Sequence, residues 1–255
     1  MKIAGVLIDL DGVIYTGDTL VPGAEDAVRY LKNKGYKTRF LSNSTQRSRK
    51  KILDRLCGMG LEIDIREIFT PAVAATEFIR ASGKENVYFL TTDDLRSEFF
   101  TGGIPHQDHD VDWVVVGDAA EQFCYERMNQ AFRLIRNGAG IIALEKDRYW
   151  MGKTGLMLSA GPFVSALEYA TGKTAVLMGK PSPDYFGMAL REMGLSPGET
   201  AMIGDDVATD TGGAITAGLL GILVKTGKYS DQALEHANPK PSRVLDSVAG
   251  ISSIL

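Results

Sequence analysis

Cysteine and histidine are scarce in this chain of 255 residues. Cys57 and Cys124 stand far apart, and neither pairs with His106, His109 or His236 in a ligand spacing. A disulfide framework, a zinc centre and thiol redox chemistry therefore have no support. Basic residues are not in excess either: 28 Lys and Arg face 32 Asp and Glu, for a formal charge of -4, so there is no electrostatic footprint for nucleic acid. Long apolar runs are missing, and acidic residues interrupt the opening "MKIAGVLIDLDG". Neither a signal peptide nor a membrane span is expected, and a cytoplasmic address follows as an expectation. Fixed-period repeats and low-complexity stretches are absent, which removes solenoid and disordered readings. "MGKTG" and "TGKTA" look like nucleotide loops, but Asp147 and Leu167 stand where the earlier glycine is required.

What is present is an alternation of short apolar runs and amphipathic stretches. "GVLID" reads as a buried strand; Ala24, Ala27, Val28 and Leu31 follow at helical spacing up to Gly35; "YKTRFLSNS" is a second strand. The pattern continues through "NVYFL", "DWVVVG", "GIIAL", "TAVLMG", "TAMIGDD" and "LGILVKTG", with helical segments between them and "SRVLDSVAGISSIL" as a closing helix. Such alternation predicts an α/β fold with a Rossmann-like parallel sheet. Carboxylates cluster after strands near both ends of the chain and not in the middle. The expected organisation is a core of residues 1–80 and 178–255 with an inserted α/β domain, 81–177, bounded by "ASGKEN" and "ATGKT".

The chemistry lies at those strand ends. Asp9 and Asp11 are separated by one residue, so in an extended chain they point to one side and share a small volume, which calls for a compensating charge. Near the other end "GDDVATD" supplies Asp205, Asp206 and Asp210. If Asp9, Asp11 and Asp205 converge, their hard oxygens suit Mg²⁺ and leave one carboxylate able to attack a phosphoryl group. Lys180, just before a helix opened by Pro183, offers a cation, and Ser42 and Asn43 offer hydrogen bonds to phosphate oxygens.

In order along the chain, "DLDG", "SNS", "GKP" and "GDDVATD" resemble the four motifs of the haloacid dehalogenase superfamily of phosphohydrolases. "DGVIY" and the insertion after the second motif resemble its NagD-like subgroup. Stretches such as "NQAFRLI", "GPFVSALEYATG" and "GILVKTGKY" are similar to the branch holding haloacid dehalogenase-like hydrolase domain-containing proteins and phospholysine phosphohistidine inorganic pyrophosphate phosphatase.

The resemblance implies that Asp9 is the nucleophile of a phospho-aspartyl mechanism and Asp11 the general acid and base. It further implies that Asp9, the Asp11 carbonyl and Asp205 hold Mg²⁺, with Asp206 or Asp210 orienting its waters, and that Lys180 neutralises phosphate. The insertion would be a specificity cap. Where NagD-like caps carry an Asn-Pro-Asp loop this chain has "EKDRYW", in which Lys146 and Arg148 are candidate grips for a second anionic group.

The expected activity is hydrolysis of a small phosphorylated metabolite. A phosphotransferase or mutase is the alternative with the same core, and a non-catalytic phosphate-sensing scaffold is a weaker one. A homodimer is expected by resemblance alone.

Overall fold

A computed structural model describes residues 2–152 and 154–255. Lys153, in the "MGKTG" stretch, lies outside them. The chain divides into two compact units, one of Met1–Ser42, Ile52–Phe69 and Lys180–Leu255, the other of Asn43–Lys51 and Thr70–Gly179. The division falls earlier than the expected boundary at residue 80. The helix Pro71–Ser82 packs on the helix Asp93–Thr101 and belongs to the second unit. Residues 43–51 are fastened there as well: the Asp118 amide donates to the Thr45 hydroxyl at 2.8 Å, and the Ser48 amide donates to Asp94 at 2.9 Å.

In the first unit six parallel strands run in the order Arg243–Leu245, Leu220–Val224, Thr200–Gly204, Gly5–Asp9, Lys37–Leu41, Ile68–Phe69. Gly5–Asp9 and Thr200–Gly204 are buried along their whole length, so both read as continuous apolar runs rather than alternating ones. Strand order reverses between these two, with Ile8 opposite Ile203. The reversal leaves a crevice at the carboxyl ends of the pair, the usual ligand position in such sheets. The helix Ala24–Asn33 buries Ala24, Ala27, Val28 and Leu31, as their spacing predicts. Pro183 opens a second helix that buries Phe186, Ala189, Leu190 and Met193 and ends at Gly194, whose φ of 61° favours glycine.

The closing helix is not formed. Arg243–Leu245 instead extends the sheet edge beside Leu220–Val224, and only Val248–Ser253 coils, as a 3₁₀ turn capped by the Ser247 hydroxyl. A free strand edge and Gly250 inside the segment outweigh the helical spacing of its apolar residues.

The second unit has its own parallel sheet, ordered Val176–Leu177, Gly140–Ala143, Trp113–Val116, Val87–Leu90. Tyr88, Leu90, Val114, Val116 and Ile141 pack there with Ala131, Ile135, Val164 and Leu167 from flanking helices. An unpredicted antiparallel hairpin, Tyr149–Gly152 with Gly155–Leu158, leaves Tyr149, Trp150, Met151, Leu156, Met157 and Leu158 exposed. Among the described residues no helix is long and apolar enough to cross a membrane.

Candidate active site

The strand Gly5–Asp9 ends at Asp9 itself, so the two-residue periodicity stops there. Asp9 is buried while Asp11 is exposed in the turn beyond, so the expected shared volume of Asp9 and Asp11 is not what the chain builds. The carboxylates that crowd Asp9 are Asp205 and Asp210: one oxygen from each of the three lies within 4.8 Å of the others. Asp205 follows the strand Thr200–Gly204, which brings it beside Asp9 through the register of the two strands. Asp210 arrives by way of a wide π-helical turn, Val207–Gly212. Its Oδ2 accepts the Asp206 amide at 3.0 Å, and it packs so closely on Gly204 that a Cβ there would stand 2.1 Å from its own Cβ.

Lys180 is buried against this cluster and donates to Asp9 Oδ1 and, at 2.5 Å, to Asp210 Oδ1. Burial alone would push its ammonium down, but Asp210 and Asp9 offset this and hold it well above the ordinary lysine range. Burial also pushes the Asp9 carboxyl up, against the pull of Lys180, and Asp210 and Asp205 push it further. Asp205 is raised to about 7, by burial first and by Asp210 second. Among the described residues one buried ammonium faces three buried carboxylates, with the exposed Lys228 acting on Asp205 more weakly, and this leaves negative charge in surplus. A hard divalent cation fits both that surplus and the all-oxygen donor set.

This surplus has a sign that can be measured. The folded chain holds a proton on Asp205 that an unfolded chain has released above pH 4, so the stability from this group is full below that pH and is lost as pH rises through about 7; Asp9, also raised, acts in the same direction. In chelator, the unfolding free energy from urea titration is expected to fall between pH 5.5 and 8 by on the order of a few kcal/mol. Added Mg²⁺ should restore more at pH 8 than at pH 5.5. A midpoint that rises across this interval would contradict the charge surplus.

The other sequence candidates are placed differently. Ser42 is buried at the end of the strand Lys37–Leu41, in the same unit as Asp9, and its carbonyl faces the Tyr185 hydroxyl. Asn43 belongs to the second unit, with its Oδ1 beside Gly179. Asp206 caps the π-helical turn: its Oδ1 accepts the amides of Ala208 and Thr209 at 2.8 and 3.0 Å. In the second unit the Lys146 ammonium is bound to Glu168 at 2.8 Å, and Arg148 is exposed. Glu145, the first residue of "EKDRYW", is buried and accepts from the Ser159 hydroxyl and the Ala160 amide at 2.6 and 2.7 Å, so it anchors this segment to the start of the helix Ala160–Thr171.

Sequence reasoning missed the groups that hold Asp205. They are Gly12 and residues 226–228, whose only signal is the "KTGK" run after an apolar strand.

Comparison with known proteins agrees with this geometry. Residues 6–105 match the family model Haloacid dehalogenase-like hydrolase, and residues 177–251 match a second, HAD-hydrolase-like model. The chain is 44% identical to haloacid dehalogenase-like hydrolase domain-containing protein 2 of Mus musculus, over 95% of this chain and 92% of that one. It is 36% identical to phospholysine phosphohistidine inorganic pyrophosphate phosphatase of Homo sapiens, over 99% and 94%. Among solved structures, the p-nitrophenyl phosphatase from Archaeoglobus fulgidus superposes with a TM-score of 0.93 at 30% identity, covering 100% of both chains. NagD from E. coli K-12 superposes with a TM-score of 0.90 at 28% identity, covering 98% of each. A buried aspartate cluster at the sheet's switch point and matches that span nearly the whole chain lead to one assignment: this protein belongs to the haloacid dehalogenase superfamily, among its NagD-like phosphatases.

Proposed function

We propose that the protein is a Mg²⁺-dependent phosphatase that hydrolyses a small phosphorylated metabolite through a phospho-aspartyl intermediate on Asp9. The observation that carries this reading is the buried Asp9, Asp205 and Asp210 cluster paired with the buried ammonium of Lys180. Mg²⁺, when bound by Asp9, Asp205 and the Asp11 carbonyl, supplies positive charge that lets an anionic nucleophile approach an anionic phosphoryl group.

The chain's own groups do the rest. An Asp9 carboxylate oxygen forms a bond to phosphorus as the bond from phosphorus to the leaving alcohol oxygen breaks, and Asp11 gives that oxygen its proton. Asp11 then takes a proton from the water that attacks phosphorus, which releases inorganic phosphate and restores Asp9. An exposed Asp11 suits both steps, because its carboxyl meets solvent water directly. Lys180 fixes the Asp9 rotamer through Oδ1 and offers positive charge to the phosphoryl oxygens, and Ser42 lies at the adjacent strand end as a hydrogen-bond donor.

The test is acid-quench mass spectrometry of wild type and Asp11→Asn with an aryl phosphate and Mg²⁺, with and without a candidate acceptor alcohol. A phosphate adduct on the Asp9 peptide that accumulates in Asp11→Asn, and release of inorganic phosphate by wild type, are the expected results. Transfer chiefly to the alcohol would favour the phosphotransferase reading, and no adduct with no turnover on a panel of esters would reject both.

The expected homodimer has a candidate surface in the hairpin Tyr149–Gly152 with Gly155–Leu158. Residues 149–158 carry six exposed apolar side chains and one charge, that of Lys153, so a second copy meets little like-charge repulsion there. Sedimentation of wild type as a dimer and of Leu156→Lys as a monomer is the expected outcome; a monomeric wild type removes the proposal.

A further inference from the structure

Asp205 is held by two chain segments that the catalytic reading does not use. The Lys228 amide donates to Asp205 Oδ2 at 2.7 Å. Gly12 and Gly227 close on the same oxygen: a Cβ on either would stand 1.9 Å from it. Both glycines have left-handed backbones, with φ of 87° and 57°, so neither the space nor the conformation favours a side chain. The Thr226 hydroxyl donates to the Gly12 carbonyl and ties the loop after the strand Leu220–Val224 to the loop after Gly5–Asp9. One Asp205 oxygen is thus committed to a backbone amide and walled in by two α-carbons, and Oδ1 is the oxygen left to a ligand.

We propose that the turn of residues 226–228, through the Lys228 amide and Gly227, makes Asp205 a one-oxygen metal ligand and so biases the site towards Mg²⁺ over Ca²⁺. This inference rests on the metal reading given above and adds a selectivity device to it. Mg²⁺ is small and takes single oxygens in octahedral geometry, whereas Ca²⁺ is larger and readily takes both oxygens of one carboxylate. A carboxylate that cannot offer its second oxygen withholds the coordination that Ca²⁺ would gain. The residues of the turn are positioning residues: they act on the ion through Asp205, and they act through backbone atoms, which explains why a turn sequence rather than an acidic or basic motif encodes them.

The experiment is titration calorimetry of Mg²⁺ and of Ca²⁺ with wild type, Gly227→Ala and Thr226→Val, each first shown to be folded by its melting transition. Wild type is expected to prefer Mg²⁺, and both substitutions to lower Mg²⁺ affinity by about tenfold or more, the usual range for a lost outer-sphere support, with a smaller loss for Ca²⁺. A second measurement needs no variant: the Lys228 amide of wild type should stay protected from hydrogen exchange when Mg²⁺ is bound. Folded variants with the wild-type Mg²⁺ to Ca²⁺ ratio, or a Lys228 amide that loses protection on Mg²⁺ binding, overturn the inference. A wild type that turns over with Mg²⁺ while the ratio ignores both substitutions fails this inference alone. A wild type that binds no divalent ion fails the metal reading as well.

Discussion

Asp9→Asn is expected to lower turnover of an aryl phosphate by at least about 10⁴-fold, equivalent to about 5 kcal/mol of transition-state stabilisation, while leaving the fold intact. The amide has the shape of the carboxylate and none of its charge, so it neither attacks phosphorus nor binds a cation as tightly. Lys180 keeps its partner Asp210 in this variant. The crowding of Asp9 with Asp205 and Asp210, which pushes the Asp9 carboxyl up, is relieved. Its melting temperature in chelator at pH 8 should therefore equal or exceed that of wild type. A melt and a phosphate-release assay on the same preparation separate the two effects. Turnover above about one hundredth of wild type would mean that water attacks phosphorus directly, a loss far smaller than removal of a covalent nucleophile produces.

Lys180→Met should have the largest effect on stability. The lysine is buried and forms ion pairs with both Asp9 and Asp210, so its removal strands two carboxylates away from water and from the cation they share. Removing one partner of a buried ion pair typically costs about 3–5 kcal/mol, and methionine replaces most of the side-chain volume, so packing loss contributes little. The sign with pH follows from the same charges. Lys180 draws the Asp9 and Asp205 carboxyls down, and without it both rise further. The deficit is then smaller at pH 5.5, where Asp205 holds its proton in the folded chain, and grows as pH rises through about 7, with the raised Asp9 acting in the same direction. Urea midpoints of variant and wild type in chelator at the two pH values measure it, and Mg²⁺ should recover part of the loss at pH 8. A variant as stable as wild type at pH 8 would show that the carboxylates protonate at no cost and that Lys180 serves the phosphate alone.

Much of the site was legible before the fold was known, for a physical reason. A parallel sheet buries both faces of its central strands, so "GVLID" and "TAMIGDD" announce themselves as apolar runs, and carboxylates at their carboxyl ends are out of place unless they serve a ligand. Lys180 was legible in the same way, as a cation placed just before a helix that Pro183 marks. The pairing of Asp9 with Asp11 misled, because the two-residue rule holds only while the strand lasts and this strand ends at Asp9. The closing helix misled because an open sheet edge competes for the same residues, and no local pattern reports that edge.

The sequence by itself determined where the charged groups of the candidate site fall: Asp9 and Asp205 at strand ends, Lys180 just before a helix and Asp210 in the turn after the second strand follow from local hydrophobic patterning, which depends on near neighbours in the chain. Only the tertiary structure decided that Asp210 rather than Asp11 crowds Asp9, that Lys180 is shared between Asp9 and Asp210, and that a backbone amide and two glycines hold Asp205. Those outcomes depend on strand order and register across more than 150 residues of chain, and on backbone atoms that every residue carries, so no side-chain pattern records them.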